Sequence, residues 1–321
     1  MSELTHRVEH VNGIRLHCVE TGEGPLVLLV HGFPESWYSY RHQLPVLAEA
    51  GYRAVAIDVR GYGRSSVPTA TEAYRMTQHV ADNLALVAAL GESQAVIIGH
   101  DWGAPIAWNS ALLRHDVFRA VAGLSVPYSP AGEHRPTDIF RMMAGEEEFY
   151  INYFHTPRAE RELEEDVRRW LLGFYFSASG DAPAPQTGGT IATIPHGGRM
   201  SDRFSFPDTM PAWLSDDDLD VYAGEFERNG FVGGLSRYRN VDRDWEDLSV
   251  FRGVPIDVPA LFVGGDRDGP TIWGAASIER FPQTLPRLHR SIILEGCGHW
   301  TQQERPAEVN EALVDFLAAV G

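Results

Sequence analysis

Short apolar runs punctuated by turn residues dominate the first third of the chain. From Val8 to Cys18 two alternating stretches flank Asn12-Gly13, a dipeptide that readily takes the positive φ angles of a two-residue turn, so an opening β-hairpin is predicted. After the Gly-Glu-Gly-Pro break at 22–25, Leu26 to Val30 is continuously apolar. Arg53 to Ile57 and Ala95 to Ile98 repeat that pattern, as strands buried on both faces should. Between them, Met76 to Leu90 sets Val80, Leu84, Val87 and Leu90 at helical spacing and stops at Gly91, a suitable C-cap. Further strands are predicted at Ala120–Leu124, Ala260–Val263 and Ser291–Leu294, with a closing amphipathic helix at Glu308–Ala319. Alternating strands and helices of this kind build a parallel α/β sheet.

The middle has a different texture. Thr137 to Leu172 reads as helical and charge-rich, Ser177 to Pro211 as a long loop rich in Gly, Pro, Ser and Thr, and Asp216 to Asn229 as helical again, with no strand pattern. The simplest organisation is a helical cap at 128–247 inserted into an α/β core formed by 1–127 and 248–321.

Composition narrows the function classes. The 321 residues, 44% hydrophobic and 22% charged, suffice for a full α/β core with an insertion. A formal charge of −17 repels nucleic acid and anionic lipid, so neither is expected as a partner. All 27 basic residues are Arg, which reads as genome composition, not function. The first thirty residues scatter Glu3, His6, Arg7, Glu9 and Glu20 among short apolar stretches, unlike a signal peptide or a membrane span, and a cytoplasmic location is expected. Two cysteines, Cys18 and Cys297, give no disulfide framework. The 13 histidines fall in no metal-ligand spacing, so neither metal nor cofactor is expected.

The sharpest chemical signal is Gly99-His100-Asp101-Trp102-Gly103, where an apolar strand runs into a helix through Gly-x-Asp-x-Gly. Small flanking residues permit the tight turn of a nucleophile elbow, with Asp where serine usually stands. Taken alone, Asp101 could equally cap the helix that starts at Trp102. The remaining parts of a nucleophilic site follow in order. His31-Gly32-Phe33-Pro34 succeeds the strand at 26–30, where the Phe33 and Trp102 N–H groups are placed to hold an oxyanion, and His31 is expected to be structural. Asp266 and Asp268 both follow the strand at 260–263, and His299 follows the strand at 291–294, which is the order of nucleophile, acid and base. Cys297 lies off the elbow and is expected to pack as a small hydrophobe.

HGFPESWYSYRHQ from His31, RGYGRSS from Arg60, GHDWGA from Gly99 and GCGHWTQ from Gly296 together resemble the epoxide hydrolases of the α/β-hydrolase fold, over nearly the whole chain. That resemblance implies a mostly parallel eight-stranded sheet flanked by helices, with a helical lid. It implies that Asp101 is the nucleophile, that Asp268, and not Asp266, is the acid orienting His299, and that no cofactor or metal is needed. Tyr150-Ile151-Asn152-Tyr153-Phe154 and Leu235-Ser236-Arg237-Tyr238-Arg239-Asn240 are similar to the lid stretches that carry the family's ring-opening tyrosines. The roles fall on Tyr150 and Tyr238, with Tyr153 competing for the first. Phe33, Pro34, Trp102, Tyr150 and Tyr238 are expected to line a pocket for a small apolar epoxide, and a homodimer is plausible for such a protein.

The residue types suit that reaction. A serine must lose a proton before it attacks, whereas a carboxylate is already ionised at neutral pH, and phenols can donate to the departing alkoxide. A haloalkane or haloacid dehalogenase shares the nucleophile but needs N–H donors for halide, such as the Trp102 indole. A catalytically silent binder of the same fold would not need the acid and base.

Overall fold

The computed structural model describes residues 4–183 and 190–321. Residues 184–189, part of the predicted long loop, lie outside that description. The chain opens with the expected hairpin, β1 (Thr5–Val11) and β2 (Ile14–Thr21), turning at Asn12 (φ 45°) and Gly13 (φ 77°). The strands β3 (Leu26–Val30), β4 (Arg53–Ile57), β5 (Ala95–His100) and β6 (Phe118–Leu124) follow. Two-residue strands β7 (Glu148–Phe149) and β8 (Thr193–Ile194) pair antiparallel outside the main sheet. The main sheet is completed by β9 (Ala260–Gly265) and β10 (Leu288–Leu294). Its order is β1-β2-β4-β3-β5-β6-β9-β10, antiparallel at β1/β2 and β2/β4 and parallel from β4 onwards.

The continuous apolar runs are strands covered on both faces. Leu26, Leu28 and Val30 of β3, Ala95 and Ile97 of β5, and Phe262 of β9 point into one core layer; Val27, Leu29, Val96, Ile98, Leu261 and Val263 point into the other. The second layer is closed by Leu44 and Leu47 of the helix Gln43–Glu49 and by Val309, Leu313 and Phe316 of the terminal helix Pro306–Val320. The first is closed by the helices Met76–Ala89 and Gly103–Leu113 and by residues such as Leu163, Trp170 and Phe231 from the segment between β6 and β9. Each buried leucine or phenylalanine contributes roughly 1.5–3 kcal/mol, so burial on both faces holds these central strands in the sheet.

Most of the segment between β6 and β9 is helical, as read from the sequence, but it is finer-grained. The expected run from 137 to 172 is four helices, Pro136–Ala144, Tyr150–Phe154, Pro157–Leu163 and Val167–Ala178. Gly145 at φ 61° ends the first, and Pro157 and the Asp166 N-cap begin later ones. The pairing of β7 with β8 escapes the sequence because two residues are too few to show alternation. The predicted loop at 177–211 also contains a 3₁₀ turn at Met200–Arg203. Helix Asp216–Asn229 starts from a capping box between Ser215 and Asp218. Among the described residues, no helix is long and apolar enough to cross a membrane.

Candidate active site

The carboxyl ends of β3, β5, β9 and β10 converge, and each delivers one part of the site, as expected for a crevice at the strand ends of an open α/β sheet. Asp101 sits between β5 and the helix Gly103–Leu113 at φ 49°, a conformation that costs an ordinary L-residue about 1–2 kcal/mol. The turn is tight enough to require glycine on both sides. A Cβ on Gly99 would run into the Gly103 carbonyl, and one on Gly103 into the Val30 carbonyl. Because both obstacles are backbone, Gly103→Ala is expected to destabilise the fold by about 2–4 kcal/mol, in the range of severe overpacking, read as a lowered denaturant midpoint.

Asp101 does not cap the helix; its carboxylate faces the other way. Oδ1 accepts the Phe33 N–H at 2.7 Å, and Oδ2 lies 3.3 Å from His299 Nε2. His299 Nδ1 is in turn 2.8 Å from Asp268 Oδ1. Asp268 is fully buried at the N-cap of the helix Gly269–Trp273, where Oδ2 accepts the Thr271 hydroxyl at 2.8 Å. Asp266 is exposed and holds the Gly296 N–H at 2.7 Å, so it ties two loops together away from the imidazole. His31 is spent on backbone contacts, its Nδ1 2.8 Å from the Gly32 carbonyl and its Nε2 accepting the Val59 N–H at 3.0 Å. Cys297 is buried in the second core layer.

The charges are mutually supporting. Burial pushes the Asp101 carboxyl up, but the hydrogen bond and charge of His299, with His100 and the Phe33 N–H, hold it below the usual carboxylate range. Burial pulls His299 down, yet the charge of Asp268 and the hydrogen bonds to Asp101 and Asp268 keep it well above an ordinary histidine. Below the elbow, His100 is fully buried between Glu35 Oε2 at 2.8 Å and the His299 carbonyl at 2.7 Å, linking the loops that carry Glu35 and His299.

Above Asp101 lies a cavity of about 640 Å³, walled by Phe33, Tyr150, Phe174, Tyr238 and Trp273 with Asp101 and His299 at its floor. Tyr150 opens the helix Tyr150–Phe154 and Tyr238 ends the helix Val232–Tyr238, and their rings stand 6.0 Å apart. Burial first, and then the Asp101 charge, drive both phenols well above their ordinary value, so both hydroxyls keep their protons at neutral pH. Tyr153 is directed elsewhere, its hydroxyl donating to Glu162 at 2.5 Å. Glu162 also accepts the Met200 and Ser201 N–H groups.

Two residues expected in the pocket wall are absent from it among the described residues. Pro34 is buried and its carbonyl accepts the Tyr175 hydroxyl at 2.6 Å. Trp102 packs edge-on against Tyr238 at 5.2 Å, with the Arg237 guanidinium over its ring. Conversely, sequence reasoning missed Ser125, whose hydroxyl meets both Asp268 and His299. Its only signal is a polar residue at the carboxyl end of a strand neighbouring the acid's.

An Asp elbow, an Asp-His pair and an N–H donor at the ends of a mostly parallel sheet define an α/β hydrolase, and a sequence model described as alpha/beta hydrolase fold matches residues 25–306. Epoxide hydrolase B of Mycobacterium tuberculosis is 43% identical over 355 residues, which cover 100% of this chain and 99% of that protein. A solved epoxide hydrolase from an endophytic Streptomyces superposes with a TM-score of 0.97 at 60% identity, covering 99% of this chain and 96% of that one. Epoxide hydrolase A from Mycobacterium thermoresistibile gives 0.88 at 44%, covering 98% of each. The chain belongs to the epoxide hydrolase family of the α/β hydrolase fold.

Proposed function

We propose that the protein hydrolyses apolar epoxides to vicinal diols through a covalent ester on Asp101. One observation carries this reading: an ionised carboxylate, anchored through Oδ1 by the Phe33 N–H, stands beneath two protonated phenols in an apolar cavity. Oδ2 attacks a ring carbon, the carbon–oxygen bond breaks, and the departing oxygen takes a proton from the Tyr150/Tyr238 pair. Water, deprotonated by His299 Nε2, then adds to the Asp101 carboxyl carbon. The Phe33 and Trp102 N–H groups hold the oxyanion, the diol leaves with the second proton of the water, and the carboxylate is restored beside the imidazolium, whose resting proton passed to the phenolate after ring opening. Asp268 stabilises the imidazolium throughout.

A halide-releasing reading is disfavoured because the groups standing over Asp101 are the protonated phenols of Tyr150 and Tyr238, which suit a departing alkoxide. Styrene oxide, trans-stilbene oxide and a long-chain epoxy fatty acid, assayed for diol, test the proposal; release of halide from haloalkanes without diol from any epoxide would overturn it. In pre-steady-state mixing, Tyr150→Phe and Tyr238→Phe are each expected to slow ester formation about 10²-fold, the lower end for a lost general acid, and the double variant further still. Unchanged ester formation in the double variant would remove the tyrosines from the mechanism.

A further inference from the structure

Ser125 stands where β6 leaves the sheet, fully buried and at φ 71°, a left-handed conformation that a side-chain-bearing residue seldom adopts. Its backbone is held there from two sides. The N–H donates to the Val263 carbonyl of β9 at 2.8 Å, and the carbonyl accepts the Thr271 hydroxyl at 2.8 Å. Both partners belong to the segments that flank Asp268, so the serine is fixed to the support of the acid.

The side chain meets the acid and the base at once. Ser125 Oγ donates to Asp268 Oδ2 at 2.7 Å and lies 3.0 Å from His299 Nδ1, while Asp268 Oδ1 lies 2.8 Å from the same nitrogen. A hydroxyl has one proton. Turned towards the imidazole, that proton would require an unprotonated Nδ1, whose lone pair would then face the Asp268 carboxylate. Committed to Oδ2, it leaves only a lone pair towards the ring, so Nδ1 carries the hydrogen and shares it between Asp268 Oδ1 and Ser125 Oγ. Once the ester has cancelled the Asp101 charge and the imidazole is neutral, the basic lone pair is thereby kept on Nε2, which faces Asp101.

We propose that Ser125 is a positioning residue that holds His299 in its Nδ1–H tautomer and Asp268 in the plane of the imidazole during ester hydrolysis. The inference rests on the ester route described above. It assigns Ser125 to the second half of the reaction: ring opening needs Asp101 and the phenols, whereas hydrolysis needs a correctly oriented base.

Single-turnover mixing of excess enzyme with styrene oxide, quenched for intact mass and diol, separates the two halves. Ser125→Ala deletes the hydroxyl and keeps the strained backbone; Ser125→Gly deletes the hydroxyl and relieves the strain, so one folded variant remains if the other fails. Both are expected to hydrolyse the ester about tenfold more slowly, the effect of one hydrogen bond to a charged partner, with ester formation unchanged and the acid limb of hydrolysis displaced in pH. Hydrolysis at the wild-type rate in both overturns the proposal, as does a parallel fall in both steps. Recovery in Ser125→Gly alone overturns it too, because the backbone would then be the cause. His299→Gln serves as reference: trapped ester there beside wild-type hydrolysis in the serine variants sinks only the Ser125 assignment, whereas no ester there removes the route itself.

Discussion

Replacing Asp101 with Asn is expected to lower diol formation by on the order of 10⁴-fold or more, as removal of a triad nucleophile does, with little change in thermal midpoint. The amide oxygen can still accept the Phe33 N–H that now reaches Oδ1 at 2.7 Å, so the elbow keeps its main anchor. What disappears is the negative charge and the lone pair directed into the cavity. An amide cannot open an epoxide at a useful rate, and the phenols, held protonated, have no alkoxide to receive. Single-turnover reaction of the unaltered enzyme in heavy-oxygen water is the companion measurement. If water attacks the ester at the Asp101 carboxyl carbon, the isotope enters that side chain; label appearing only in the diol, or residual activity in Asp101→Asn within tenfold of the wild type, would end the covalent assignment.

Chemistry confined to a few consecutive residues was legible in the sequence. The Gly99 to Gly103 turn announces itself because the close approach of Gly103 to the Val30 carbonyl forbids side chains there, and that restriction is written as composition. Strands β3, β5 and β9 were legible because they are buried on both faces. The start of β10 was not, since Leu288–Arg290 runs along the sheet edge with His289 and Arg290 exposed, and an exposed edge carries no apolar pattern. Relations between distant segments were the least visible. Nothing local distinguishes Tyr150 from Tyr153; the difference is that Glu162, nine residues beyond Tyr153, captures the latter's hydroxyl. Ser125 and His299 are 174 positions apart, and their contact follows from the order β6-β9-β10, which motifs alone do not encode.

His299→Gln is expected to leave the first half-reaction standing and arrest the second, so that intact protein mixed with epoxide gains the mass of the whole substrate and keeps it. The charge arrangement explains why this one side chain controls the step. In the free enzyme two carboxylates, Asp268 and Asp101, hold the imidazole's pKa well above that of an ordinary histidine against the opposing pull of burial. Forming the ester cancels the Asp101 charge, so the pKa of His299 falls when a neutral Nε2 is needed to deprotonate water. Acid reverses that gain: as pH drops through the lowered pKa of the ester form, the imidazole is reprotonated and hydrolysis slows. Ester formation continues to lower pH, because it needs only an ionised Asp101, whose carboxyl titrates below the usual range. Mild acid should therefore make the unaltered enzyme resemble His299→Gln, with the adduct accumulating as pH falls. Intact mass spectrometry across a pH series reads this directly. Hydrolysis that quickens on acidification, or a His299→Gln protein that never acquires the adduct, would show that the imidazole is not the base.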